Sequence, residues 1–281
     1  MPDSPYTDLS RPPLSQAVLR RAVVRAGALW TDLRVVPRTA STNAGLAAAA
    51  RDGAAEGVVL VAEHQTAGRG RLGRGWESPP RAGLTVSVLL RPGAPVPARG
   101  WSPLPSSRYG WLPLLAGVAL ADAVRRLGEV DAVLKWPNDL LIDGAKCAGI
   151  LAEAVPDGGV VIGIGLNVSL GADELPRDDT TSLLLSGSAC VDRDPLLRAL
   201  LRELADGYAD WRAAGGDPDR CGLRADYLAR CDTLSRRVRV QRPGGDDLDG
   251  EAVDVDSDGR LVVSGADTRT PVAAGDIVHV R

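Results

Sequence analysis

Between Ala132 and Leu170 the chain is written as four short apolar segments with almost nothing between them. These are AVLKW, DLLID after Pro137–Asn138, CAGILAEAV after Gly144, and GVVIGIGLNVSL at 159–170. Parallel strands need a crossover of a dozen or more residues, which these tight turns cannot supply, so the four segments pair antiparallel. Two further buried strands are expected upstream, GVVLVAEHQ at 57–65 and LTVSVLL at 84–90.

Helices fill the intervals. NAGLAAAARDG is an alanine-rich helix with the Ser41 and Thr42 hydroxyls in front as caps and Gly53 as its stop. The spacing of Leu112, Leu115, Leu120, Val124 and Leu127 predicts a helix over about 112–127. Asp194 as N-cap and Pro195 at the first helical position open a long helix to about residue 213, striped by Leu197, Leu200, Leu201, Leu204, Tyr208 and Trp211. A shorter helix is expected at about 222–231. The first dozen residues read as a loose arm and LSQAVLRRAVVRAG as a short helix, while the Pro/Gly/Ser-rich stretch 92–110 reads as a surface excursion. From about residue 234 the chain becomes short alternating segments, RRVRVQ, DGEAVDVDSDGR, LVVS and DIVHV, with Gly- and Asp-rich turns. That is a small all-β unit with little core of its own, which should lean on the main domain.

Composition narrows the function. At 44% hydrophobic and 25% charged, neither a disordered chain nor a coiled coil accounts for the 281 residues. A net charge of -3 argues against a dedicated nucleic-acid binder. Of 33 basic residues only two are lysine, Lys135 and Lys146, and both fall in one short region. A lysine retained where arginine is otherwise used hints at a need for a compact, mobile ammonium. Four cysteines without a C-x-x-C pair and two histidines do not form a structural zinc site. No signal peptide or membrane-spanning run is visible, so the expected home is the cytoplasm, with no membrane partner.

Three segments can carry chemistry. The first is Gly68-Arg69-Gly70-Arg71-Leu72-Gly73-Arg74-Gly75-Trp76. It contains G-x-G-x-x-G after a strand, but WESPP follows where a dinucleotide-binding fingerprint needs a helix. A loop of glycines, arginines and one indole suits an anionic ligand: amides approach its oxygens, guanidiniums grip them and the indole stacks or closes a lid. The bland reading is a solvated hairpin tip, which the glycine interleaving disfavours. The second is Lys135-Trp136-Pro137-Asn138-Asp139 with Lys146 on the next strand. Its bland reading is a hairpin with a packed Trp, and the clustering of both lysines stands against that. The third, Gly163-Ile164-Gly165-Leu166-Asn167, is weak alone. His64 reads as an ordinary residue, and Asp173 and Asp178–Asp179 as solvated loop charges.

Taken together, STN at 41–43, EHQTAGRGRLGRGW at 63–76, KWPNDLLIDGAKCAGILAE at 135–153, GIGLNVS at 163–169 and the closing AAGDIVHVR resemble the biotin protein ligases, over roughly residues 30–281. The resemblance implies an α+β fold: a class II aminoacyl-tRNA synthetase-like mixed α/β catalytic domain over 30–232, then a small SH3-like β-barrel over 233–281, with 1–29 as arm and short helix. It implies a two-step reaction in which biotin and ATP, with Mg²⁺, give biotinyl-5′-AMP and pyrophosphate, and biotin then passes to a lysine of a biotin carboxyl carrier domain. The natural partners are acyl-CoA carboxylases. Some members carry a DNA-binding helix-turn-helix; thirty leading residues leave no room for one, so DNA is not an expected partner.

Roles follow from the same resemblance. Ser41, Thr42, Asn43, Gln65, Gly68, Arg69, Gly70, Arg71, Lys146, Gly149 and Gly165 are expected at biotin. Arg69, Arg71, Trp76, Asn138, Lys146 and Asn167 are expected at the adenylate. Lys146, Arg69 and Asp139 are the expected catalytic residues, with no protein metal site beyond Mg²⁺ brought by ATP, near Asp139. Two rivals remain. A lipoate-type ligase would share the fold and the adenylation chemistry, but GRGRLGRGW together with KWPND belongs to the biotin side. A biotin- or nucleic-acid-binding regulator built on the basic loop is disfavoured by the low net charge.

Overall fold

A computed structural model describes residues 10–241, 247–265, 268–273 and 275–280. The larger domain is a seven-stranded sheet in the order β1-β2-β5-β9-β8-β7-β6. Its strands are β1 (Asp32–Val36), β2 (Val58–Ala62), β5 (Gly83–Leu90), β6 (Ala132–Lys135), β7 (Asp139–Ile142), β8 (Ala145–Val155) and β9 (Gly159–Asn167). The run from β6 to β9 is antiparallel throughout, as the short turns require. β1 was not foreseen. DLRVV alternates weakly, and the strand lies at the sheet's edge, joined parallel to β2.

Helix α2 (Thr42–Arg51) packs on one face of the sheet, and α3 (Trp111–Gly128) and α4 (Arg193–Ala213) on the other. Helix α1 (Gln16–Val23) lies against β1 and α4, and α5 (Leu223–Leu228) against α3. The cap of α4 falls two residues before the expected position. Asp192 accepts the Asp194 amide at 3.0 Å, so Pro195 sits inside the first turn, where its missing N–H costs nothing. The amino-terminal segment is not loose from residue 11 onward: Arg11 holds Glu174 and the Ser169 carbonyl, Arg193 donates to the Pro12 carbonyl at 2.7 Å, and Leu19 is fully buried. The rest of the expected arm, 1–9, lies outside the described residues.

The excursion at 92–110 is tied down by one buried cation. Arg212 donates to the carbonyls of Arg91, Ala94 and Ser102 and to the Tyr208 hydroxyl, and lies over the Trp101 ring. Beyond α5 comes a five-stranded antiparallel sheet, β10 (Arg237–Gln241), β11 (Leu248–Val255), β12 (Leu261–Ser264), β13 (Arg269–Val272) and β14 (Asp276–His279), in the order β13-β12-β11-β10-β14. β13 escaped the pattern because Pro271 interrupts it, which an edge strand tolerates. This unit does lean on the main domain: the indoles of Trp111 and Trp136 donate to the Ser257 and Gly259 carbonyls at 2.8 and 3.1 Å. Among the described residues no helix is long and apolar enough to cross a membrane.

Candidate active site

The site is assembled on the α2 face. Ser41 caps α2, and Thr42 and Asn43 in its first turn are buried. Gln65 Oε1 accepts both the Thr42 amide, at 2.7 Å, and its hydroxyl, at 3.0 Å. Ser87, from the middle of β5, reaches Thr42 Oγ1 at 2.7 Å and Asn43 Oδ1 at 2.6 Å, and its one proton serves one of them at a time. Asn43 Nδ2 donates to the Leu151 carbonyl and to Glu153 Oε2, at 3.2 and 2.7 Å. Glu153 in turn pairs with Arg69 at 3.3 Å. A polar chain therefore runs from Gln65 through Thr42, Ser87, Asn43 and Glu153 to Arg69. Ser87 and Glu153 were missed from sequence.

The Gly/Arg-rich segment is a small hairpin rather than an open loop: β3 (Gly68–Arg69) pairs with β4 (Gly75–Trp76) around a tip in which Leu72 and Gly73 are left-handed. The Trp76 indole rests on a patch of β8 and β9 paved by Gly149 and Gly165, which face each other across the two strands. A Cβ on Gly165 would lie 2.3 Å from the indole, and one on Gly163 would lie 2.0 Å from Asn43 Oδ1. Close approach, not turn formation, is what these glycines supply. Arg71 is half-buried, which pushes its guanidinium below the usual arginine range, and it donates to Asn138 Oδ1 at 3.2 Å and to the Gly275 carbonyl at 3.4 Å. Arg74 pairs with Asp276. The hairpin thus touches both domains.

Opposite lies the turn between β6 and β7. Asn138 Nδ2 donates to the Ile150 carbonyl at 3.1 Å and the Ile150 amide returns to the Asn138 carbonyl at 2.8 Å, fixing the turn on β8. Trp136 is buried and belongs to the barrel contact rather than the site. Lys146 Nζ stands 2.6 Å from Asp139 Oδ1. The register of β7 and β8 slips at this point, with Leu140 opposite Ala148 and Leu141 opposite Lys146, so a bulge aims the lysine. Burial pushes the Lys135 ammonium below the usual lysine range, Asp139 and Asp179 oppose that, and Lys146 and Arg177 add to it.

Asn167 and the segment that carries Asp179 lie on the same flank of the site. Asn167 is buried and its amide donates to the Thr181 carbonyl at 2.9 Å, so it fastens the following segment. That segment runs beside Lys146, whose amide donates to the Asp179 carbonyl and whose carbonyl accepts the Thr181 amide. The Asp179 side chain is exposed and pairs with Arg177, a solvated loop charge as expected, although its backbone runs beside Lys146. Burial, helped by Arg38, pushes His64 below the usual histidine range, and it takes no part in these contacts.

Residues 35–169 match the model of the biotin/lipoate A/B protein ligase family, and 233–280 match the biotin protein ligase C terminal domain. The chain is 47% identical over 278 residues to a biotin--[acetyl-CoA-carboxylase] ligase of Mycobacterium tuberculosis, covering 98% of each. It is 32% identical over 231 residues to the bifunctional ligase/repressor BirA of Escherichia coli, 79% of this chain and 66% of that one. A Leishmania major biotin protein ligase solved with biotinyl-5-AMP superposes with a TM-score of 0.58 at 25% identity, over 89% of this chain and 99% of that one. An Aquifex aeolicus biotin protein ligase solved with biotin and ATP shares the fold at a TM-score of 0.71 and 24% identity, over 90% of this chain and all of that one. With both domains matched and a relative this similar along the whole length, the chain belongs to the biotin/lipoate A/B protein ligase family, on its biotin protein ligase side.

Proposed function

We propose that this chain joins biotin to ATP, giving biotinyl-5′-AMP and pyrophosphate, and then passes biotin to one lysine of a biotin carboxyl carrier domain of an acyl-CoA carboxylase, in the cytoplasm. The observation that carries the reading is Lys146 at a bulge, 2.6 Å from Asp139 and beneath an arginine-bearing hairpin that spans to the barrel. In the first step a carboxylate oxygen attacks the α-phosphorus and pyrophosphate leaves, so like charges must be brought together. Lys146, Arg69 and Arg71 screen that repulsion and stabilise charge on the transferred phosphoryl. In the second step the acceptor amine attacks the acyl carbon, AMP leaves, and Asp139 is placed to take the amine's proton.

The chain of polar groups around Thr42, Asn43, Gln65 and Ser87 holds the biotin ring, with Ser41, Gly68 and Gly70 shaping its entrance. Gly149 and Gly165 border the biotin ring as the flat floor on which the Trp76 indole rests, the indole lying on the adenine side, with Asn138 and Asn167 at the adenylate edge. Mg²⁺ belongs to the nucleotide substrate and supplies charge neutralisation there. A phosphate-bound Mg²⁺ needs only one or two carboxylates, and Asp139 would supply one.

Pyrophosphate release with MgATP plus biotin, or plus lipoate, tests the reading. Release is expected with biotin alone, and Lys146→Ala should slow it by about 10²–10³, the usual cost of removing one charge-stabilising donor. Release with lipoate in preference to biotin, or wild-type adenylation by Lys146→Ala, would overturn it.

A further inference from the structure

We propose that Glu153 is a positioning residue of the biotin pocket: it orients the Asn43 amide so that the pocket is one proton short, and a ring N–H of the substrate makes up the shortfall. The inference rests on the biotin-activation reading and adds what the pocket demands of its ligand. Asn43 is buried. A Cβ on Gly163 would lie 2.0 Å from its Oδ1, so the amide is pressed against β9 and rotation about its last bond is the freedom it keeps. One end of that amide donates and the other accepts, so its neighbours decide which way it faces.

On one side stand the Leu151 carbonyl, at 3.2 Å, and Glu153 Oε2, at 2.7 Å. A carbonyl and an ionised carboxylate only accept, so Nδ2 must face them and Oδ1 must face Ser87. Gln65 is fixed in the same manner, because the Thr42 backbone N–H only donates and Gln65 Oε1 receives it at 2.7 Å. Four oxygens then stand in a row, Gln65 Oε1, Thr42 Oγ1, Ser87 Oγ and Asn43 Oδ1, at successive separations of 3.0, 2.7 and 2.6 Å. The two end oxygens carry no hydrogen and the two hydroxyls between them carry one each. Three close approaches therefore share two protons, and one approach always lacks a donor.

The shortfall can move. When Thr42 donates to Gln65 and Ser87 to Thr42, it rests at Asn43. When both hydroxyls turn the other way it rests at Gln65, whose side chain lines a small hollow with Trp76 and Thr85. A ureido ring carries two N–H groups and can serve that acceptor; a ring edge of bare oxygen or sulfur cannot. Turning Asn43 over would set Nδ2 on Ser87, supply a donor to every approach and abolish the demand. Glu153 opposes that turn, since its carboxylate would then face Oδ1, and Arg69, 3.3 Å from Glu153 Oε1, holds the carboxylate in place.

The test replaces Glu153 by Gln, an isostere that can donate, and by Ala, which leaves the Leu151 carbonyl to hold Asn43. Calorimetric Kd values are measured for biotin and for the two cyclic carbamates in which oxygen replaces one or the other ureido N–H. The parent should bind at least one carbamate about tenfold more weakly than biotin, the usual order for a buried acceptor left unpaired. In Glu153→Gln, Arg69 claims the new amide oxygen and the nitrogen is left facing Asn43, which must turn over. Biotin binding should weaken about tenfold and the carbamate-to-biotin ratio should fall below threefold. Glu153→Ala should keep that ratio within twofold of the parent, whatever affinity the lost ion pair removes. A residue that only braced the pocket would rank the other way, with Ala the more damaging and the ratio unmoved by Gln. That result overturns the inference, and so does a parent that binds both carbamates as tightly as biotin. Failure of the parent to bind biotin at all would remove the biotin reading instead, and it would show before any variant is made.

Discussion

Gly165 is fixed by what lies on it. The Trp76 indole comes so close that an added methyl would overlap it at 2.3 Å, and the neighbouring Gly149 leaves 3.2 Å on the same ring. Gly165→Ala should expel the indole and loosen the hairpin, since β3 and β4 are two residues each and are otherwise held only by the partly exposed contacts of Arg69, Arg71 and Arg74. Trypsin cleavage at Arg71 and Arg74 should accelerate about tenfold and the KM for biotin should rise, and cleavage at the parent rate would refute the packing argument. The glycines, Arg69, Arg71, Lys146 and Asp139 were legible in sequence because each sits in a short segment whose residue types make little sense as core. Ser87 and Glu153 were not. They lie 44 and 110 residues from Asn43, inside strands where one polar residue reads as noise. The signal available was only that Ser87 interrupts LTVSVLL at a fully buried position, and a buried hydroxyl needs partners.

Elements were legible where several local signals agreed. α3, with its repeated leucines, and the β6 to β9 run, with its short turns, appear as read. β1 and β13 were invisible because DLRVV alternates weakly and Pro271 interrupts RTPV, whereas the other two edge strands, β6 and β14, carry a clear apolar pattern. The start of α4 shows how two plausible caps are resolved. Asp192 is extended at φ -87°, ψ 122° and accepts the Asp194 amide, whereas Asp194 is already helical and pairs with Arg198 one turn on, at 2.6 Å. Asp192→Ala should therefore cost about 1 kcal/mol of stability, against roughly 0.3–0.5 kcal/mol for Asp194→Ala, which loses a partly exposed helix pair. Urea midpoints of the two variants decide it; the reverse ranking would return the cap to Asp194.

At the scale of the whole molecule, the barrel is an added wall of the site rather than an appendage, because Trp111, Trp136, Arg71 and Arg74 all end on it. His279 of β14 stands at that joint. Asp232 of the linker lies 4.0 Å away and would favour the imidazolium, but burial acts against it most strongly, and Lys135 and Arg236 reinforce burial, pushing the histidine down to about 4. An unfolded histidine titrates near 6.5. The unfolded chain therefore takes up this proton first, so the full contribution to stability is present above pH 6.5 and is lost as the pH falls from 6.5 toward 4. The slope reaches at most about 1.4 kcal/mol per pH unit. Replacing the group with one that does not titrate, as in His279→Gln, should remove that slope. Urea midpoints at pH 7.5, 6.5 and 5.5 should converge for the variant while those of the parent fall below pH 6.5. Parallel curves would mean that the imidazole titrates in the joint as it does in the unfolded chain, Asp232 cancelling burial, and a parent that gains stability below pH 6.5 would mean that Asp232 governs it.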